Sequence, residues 1–181
     1  MTGRWVALLR GINLGKARHV AMADLQAVIE DLGYAGVRTL ARSGNVVFSA
    51  PGASAGSASA RIEAALAEHL GIASRVTVLA ATDLAAAVAA NPLLDIASDP
   101  SRLLVAFPSD PGLLATLESL ARRSWAPEAL AIGESAAYVW CPEGVRASRA
   151  LAAVNSALGD AVTARNWTTV TRLLALAGAG R

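Results

Sequence analysis

Val37-Arg38-Thr39-Leu40-Ala41-Arg42-Ser43-Gly44-Asn45-Val46-Val47-Phe48 decides the fold of this chain. Val37 to Ala41 and Val46 to Phe48 carry the β-branched and aromatic residues of strands. Ser43-Gly44-Asn45 between them supplies side chains that tolerate positive φ, so the stretch predicts a hairpin. Upstream, Trp5-Val6-Ala7-Leu8-Leu9 opens a strand over 5–12 that is apolar enough to be buried on both faces. Residues 22–32 follow as a helix, with Met22, Leu25, Val28, Ile29 and Leu32 on one face and Gly33 closing it. Downstream, a Pro-Gly-Ala-Ser loop precedes an alanine-rich helix from Ser57 to Leu70, ended by Gly71. A strand runs from Arg75 to Ala80. Thr82 or Asp83 then caps a helix that stops before Asn91-Pro92.

The pattern starts again after residue 101. Strands are expected at Leu103–Phe107, Leu130–Ile132, Ala136–Trp140 and Ala161–Ala164, and helices at Pro111–Arg122 and Val145–Leu158. A last helix, capped by Asn166, ends near Ala177-Gly178. Both halves read β-α-β-β-α-β plus a closing helix, the split βαβ or ferredoxin-like arrangement. The fold class is therefore α+β: two tandem α-β plait subdomains, each an antiparallel sheet with helices on one face. Residues 92–101 form the natural boundary, giving subdomains 1–96 and 97–181. The repeat is one of architecture, without a residue-level match between halves. Domains of this size are near the lower end of independent stability, so a shared interface is expected.

Composition sets limits on function. Hydrophobic residues are 54% and charged residues 17% of the 181, enough for a packed core and too little charge for a disordered chain. No apolar run reaches the length of a membrane span, and the start lacks a signal-peptide pattern. One cysteine, Cys141, cannot form an internal disulfide and fits a reducing compartment. A cytoplasmic protein is expected. The net charge of +2 is too small to drive nucleic-acid binding through its long-range field, although the sequence pI is near 9.2. Of the sixteen basic residues only Lys16 is lysine, as a GC-rich coding bias explains.

In the split βαβ order, strands one and three lie side by side in the middle. The end of strand one, the hairpin and the loop entering strand four then share one edge. Arg10-Gly11-Ile12-Asn13 should thus meet Ser43-Gly44-Asn45. An arginine presents a planar fork of donors to carboxylate or phosphate, and an asparagine amide both donates and accepts. Gly11 and Gly15 allow close backbone approach, and Lys16 and Arg18 add charge. Two readings stay open here. The edge binds a small anion, or Arg10 pairs with a carboxylate while Asn13 braces the turn. Ser43-Gly44-Asn45 is likewise accounted for by turn chemistry alone.

At these residues the chain resembles a known family. Leu8-Leu9-Arg10-Gly11-Ile12-Asn13, then Val20 and Met22, then Arg42-Ser43-Gly44-Asn45-Val46-Val47-Phe48, and finally Arg165-Asn166-Trp167-Thr168-Thr169-Val170 resemble the bacterial domain of unknown function 1697. The likeness runs from the first strand to the last helix. It implies a tandem pair of ferredoxin-like subdomains, in agreement with the pattern above, and no established activity. Relatives often carry glycine at Lys16, asparagine at Arg18, proline at Ala21, lysine at His19 and asparagine at Thr168.

Other chemistry is poorly supported. Gly11 to Ala17 superficially resembles a phosphate loop but has three residues between its glycines and no Ser/Thr after Lys16. Ser43 lies in no nucleophile elbow. His19 can serve as an acid or base near neutral pH, with a solvent-facing basic role preferred. His69 complements a helix C-terminus. Cys141 reads as a semi-buried thiol, and no metal site or cofactor is expected. Arg165 and Trp167 form a third candidate: either Trp167 docks structurally beyond the Asn166 cap, or it stacks on a planar ligand beside Arg165. Tyr138 and Trp140 share a strand face, as RNA-binding plaits display aromatics, but no matching consensus accompanies them.

The function expected is a binding module for a small anionic or nucleotide-like ligand, with ligand-binding candidates Arg10, Gly11, Asn13, Lys16, Ser43, Gly44, Asn45, Arg165 and Trp167. A structural or protein-interaction role is the alternative, followed by nucleic-acid binding and an enzyme of unknown reaction. Catalytic residues and oligomeric state are not legible.

Overall fold

The computed structural model describes residues 3–14 and 19–178. Strand β1 spans Arg4–Leu9, helix α1 Met22–Asp31, β2 Ala35–Leu40, β3 Asn45–Ser49, α2 Ala55–Leu70 and β4 Val76–Ala80. Helix α3, Ala81–Ala89, follows β4 without an intervening cap residue. The antiparallel sheet has the order β2-β3-β1-β4, which puts β1 and β3 in the middle. The second half repeats this with β5 Leu103–Pro108, α4 Glu118–Ala121, β6 Ala129–Ile132, β7 Ala137–Trp140, α5 Arg149–Leu158, β8 Val162–Asn166 and α6 Trp167–Gly178. Its sheet order is β6-β7-β5-β8. The architecture is α+β, with two tandem ferredoxin-like arrangements.

Local chemistry moves several boundaries. Helix α2 starts at Ala55 because Ser54 and Ser57 bond each other's backbone N–H groups in a capping box. The segment expected as one helix over 111–122 is mostly a 3₁₀ helix, Pro111–Leu117, with only one α-turn after it. Pro111 and Gly112 are weak helix formers, and Asp110 closes the tight first turn on the Gly112 N–H. The helix expected from Val145 breaks at Ser148, whose hydroxyl accepts from the Leu151 N–H and caps α5. Asn166 caps α6 through the Thr169 N–H, as its side chain suggests.

The chain divides into two compact units. One comprises the residues up to Leu84 together with those from Leu173 onward, and the other is Ala85–Arg172. Helices α3 and α6 therefore each begin in one unit and end in the other. In the first unit, Ala7, Leu9, Val46, Phe48, Val76 and Val78 pack against Leu25 and Ile29 of α1 and Ile62 and Leu66 of α2. Tyr34 stacks on Phe48 with ring centroids 4.9 Å apart. Each fully buried side chain of this size is worth about 1.5–3 kcal/mol. The opposite sheet face, Val6, Leu8 and Val47, is also fully buried. The end of α6 lies at this sheet, where Arg4 donates to the Ala177 carbonyl at 3.1 Å.

The second unit packs Leu104, Ala106, Ala137 and Val139 against Leu114, Leu117, Ala150 and Val154. On its other sheet face the buried Tyr138 hydroxyl donates to the Ala87 carbonyl at 2.7 Å, which holds the end of α3.

Candidate functional site

The split crossover directs β1 upward, α1 downward, β2 upward, β3 downward, α2 upward and β4 downward. The end of β1, the start of α1, the β2–β3 turn, the end of α2 and the start of β4 therefore share one rim. Backbone hydrogen bonds stitch three of these segments together. The Leu9 N–H donates to the Gly44 carbonyl at 2.8 Å, and the Arg10 N–H to the Arg75 carbonyl at 2.9 Å. The Ser74 hydroxyl donates to the Arg10 carbonyl at 2.9 Å. Gly44 has φ +76°, and a Cβ there would lie 2.7 Å from both Leu9 Cβ and Ile12 Cδ1. Its lack of a side chain is thus demanded by conformation and by the approach of β1.

The two asparagines hold this rim. Asn13 adopts φ 54°, a left-handed conformation that asparagine tolerates better than most residues. Its Nδ2 donates to the Arg42 carbonyl at 2.8 Å and the Val20 carbonyl at 3.1 Å, while its Oδ1 accepts from the Val20 N–H at 2.6 Å. Asn45 is fully buried, and its Nδ2 donates to the Leu40 carbonyl and the Ser43 hydroxyl oxygen, each at 2.9 Å. These amides face backbone and turn groups. The surface of the rim is presented instead by the half-buried Arg10 and the exposed Gly11 and Ser43. Lys16 lies outside the described residues, as do Gly15 and Arg18.

A cavity of about 330 Å³ opens in the same unit, lined by His19, Asp24, His69, Leu70, Gly71 and Ile72, with Val20 between. It borders the rim through the chain itself: Val20 is bonded to Asn13, and Ile72 precedes the Ser74 that binds Arg10. Both histidines of the chain are here. Sequence reasoning gave His69 a purely helical role and did not single out Asp24. No local signal pairs His19 with His69; only the shared end of α1 and α2 does.

Arg165 and Trp167 belong to the other unit. Arg165 donates to the Ala164 carbonyl at 2.9 Å, and burial pushes its guanidinium down to about 10, so it stays charged at neutral pH. Trp167 is the half-buried first residue of α6. Tyr138 and Trp140 are buried, so β7 does not display them to a nucleic acid. Cys141 is buried too, and its desolvation raises the thiol further from ionisation. Among the described residues no group of three His, Cys, Asp or Glu side chains is placed to hold a metal ion. No helix among them is long and apolar enough to cross a membrane.

Fold and rim together define a tandem ferredoxin-like α+β protein with a stitched loop edge in its first unit. The chain belongs to the family DUF1697, described as a protein of unknown function, whose model matches residues 1–138. That span contains the rim and the cavity and ends before Arg165 and Trp167. Among solved structures, the conserved bacterial protein SP0830 from Streptococcus pneumoniae is similar in fold, with a TM-score of 0.80 and 20% sequence identity. The match covers 98% of this chain and 99% of that one. No curated protein matches the chain.

Proposed function

We propose that this protein is a binding module for a small anionic ligand, taken at the rim of the first unit by Arg10, Gly11 and Ser43. Asn13, Gly44 and Asn45 hold the loops that carry these groups. The observation that carries this reading is where backbone strain falls. Among the described residues, the two non-glycine residues with positive φ are Asn13 at 54° and Ala41 at 57°, and both lie on this rim. An alanine in that region costs about 1–2 kcal/mol. Such strain clusters at ligand-binding loops, where a fixed backbone shape is needed before the ligand arrives.

A thermal-shift panel of nucleotides, sugar phosphates and carboxylates tests the proposal. A ligand at a hundred times its dissociation constant should add about 2.7 kcal/mol to stability. The shift should fall in Arg10→Ala, and a shift that survives this change in full counts against the site.

A second reading is favoured by the hydrogen bonds of Asn13 to the Arg42 and Val20 backbone and of Asn45 to the Leu40 carbonyl, which hold loops in place: the motif staples the unit, and the protein acts as a structural or interaction partner. On that reading Arg10→Ala lowers stability and alters no ligand response.

A further inference from the structure

Each sheet has two edge strands, and an edge presents a row of backbone N–H and C=O groups with which another chain can pair. Three of the four edges are shielded. In β2 the register shifts between Ala35 and Arg38, Gly36 takes φ +60°, and Arg38 is exposed, so that edge is both bent and charged. In β4 two side chains of α2 take the outward groups of Val76. The Glu63 carboxylate accepts from its N–H at 2.8 Å, and the Ser59 hydroxyl donates to its carbonyl. In β8 the Arg165 guanidinium donates to the outward Ala164 carbonyl at 2.9 Å.

The fourth edge, β6, carries no such device. Ala129-Leu130-Ala131-Ile132 has no charge, proline or glycine, and it pairs with β7 in unbroken register. The Gly133 N–H donates inward to the Ala136 carbonyl at 2.8 Å. Bonded and non-bonded pairs alternate along an antiparallel ladder. Ala131 and Ala129 therefore also bond to β7, while Leu130 and Ile132 turn their N–H and C=O groups outward. Among the described residues these outward groups have no hydrogen-bond partner. The whole strand is half-buried, which leaves its edge open to water.

The charges at its two ends indicate what fits. The start is basic: Arg123 is exposed, with its guanidinium carbon 4.9 Å from the centre of the Trp125 ring, and the exposed Arg149 lies 3.5 Å from Glu128. The Glu128 carboxylate is already engaged by Arg149 and by N–H groups of α5. Just beyond the other end stands the exposed Glu134. A second copy laid antiparallel on this edge sets the acidic end of each strand against the basic end of the other, and two-fold symmetry makes that match twice.

We propose that β6 is a self-association edge, on which two copies of this protein pair antiparallel about a two-fold axis at Ala131. Leu130 of each protomer then exchanges both backbone hydrogen bonds with Ile132 of its partner. The Leu130 and Ile132 side chains pack against the helix-side core, so the pairing continues that apolar layer from one copy into the next. Ala131 meets its own counterpart on the opposite face with little bulk. A four-residue edge is a short contact, well under the roughly 1,200 Å² buried in stable complexes, so the dimer exchanges with monomer. The inference makes no use of the rim, which belongs to the other unit.

Sedimentation equilibrium from about 10 μM to about 1 mM, with residue-resolved amide exchange at both ends of that range, tests it. The dimer fraction should rise with concentration. The Leu130 and Ile132 amides should gain protection with it, and those of Ala129 and Ala131, already bonded to β7, should not. Glu134→Arg sets like charges together at both ends and should weaken association about tenfold at low salt. Adding Arg123→Glu to the same chain should restore most of it. Both changes fall on exposed side chains.

A chain that stays monomeric throughout overturns the proposal, as does a dimer that leaves the Leu130 and Ile132 amides unprotected. Association indifferent to Glu134→Arg overturns the antiparallel pairing. A monomer whose two outward amides are protected by an alternating Thr-Val peptide would make β6 a docking strand for other chains, and self-association would fail.

Discussion

The Asn13 side-chain amide donates to the Arg42 carbonyl at 2.8 Å, joining the loop after β1 to the turn between β2 and β3. Two further bonds fasten the same amide to Val20. One side chain therefore closes the loop on itself and moors it to the hairpin.

Removing that amide should cost about 1–3 kcal/mol, because the Arg42 carbonyl and the Val20 N–H and carbonyl lose this side-chain partner. Asn13→Gly should be milder than Asn13→Ala, since glycine accepts the left-handed φ of 54° without strain. Urea denaturation of both variants checks the order. Equal losses would mean that strain contributes little.

Gly44→Ala should destabilise by roughly 2–4 kcal/mol, combining a positive φ with overpacking. The new Cβ would meet the Cβ of Leu9 at 2.7 Å, an atom close to the backbone that cannot swing away. Gly36→Ala is the control: its φ is +60° with nothing within 4 Å of the added carbon. Its loss should be about 1 kcal/mol, from strain alone.

Ala41→Gly should raise stability by about 0.4–1 kcal/mol, as relief of the φ 57° strain outweighs the entropy added to the unfolded chain. Denaturant midpoints give the stability. If the strain shapes a binding edge, the same variant should respond more weakly to the ligand that stabilises the parent protein.

Glu128 gives a pH dependence with a definite sign. Burial works to raise its carboxyl, but the Ser148 hydroxyl, the Arg149 and Ala150 N–H groups and the Arg149 charge outweigh this and hold it below the ordinary 4.5. A lowered folded-state value means that the stabilisation is full above about 4.5 and lost as pH falls through the folded value. Melting temperatures of the parent and Glu128→Gln should differ most near neutral pH and converge in acid. A gap that widens in acid would contradict the assignment.

Tyr138→Phe should cost about 0.5–1.5 kcal/mol, by leaving the Ala87 carbonyl without its hydroxyl donor at the end of α3. Equilibrium denaturation measures it. A neutral result would mean that packing of the ring alone holds the helix end.

Much of the fold is local chemistry and therefore legible in the chain. The apolar spacing of α1, the Ser-Gly-Asn turn, Gly71 at φ +62° after α2 and the Asn166 cap are each set by residues within a few positions of one another. The 3₁₀ segment after Asp110 and the break at Ser148 were not, because competing turn and cap bonds there outweigh helical periodicity.

Element order alone was enough to read the two split βαβ patterns and the rim on which the end of β1 meets the β2–β3 turn, since strand order follows from element order under simple connection rules. The packed chain decided that the Asn13 amide turns to the Arg42 carbonyl, 29 positions away, and that His19 and His69 line one cavity. The reason is physical. An amide takes whichever partner the packed chain brings within about 3 Å, and residues as far apart as Asn13 and Arg42 are brought that close by the pairing of their strands in one sheet.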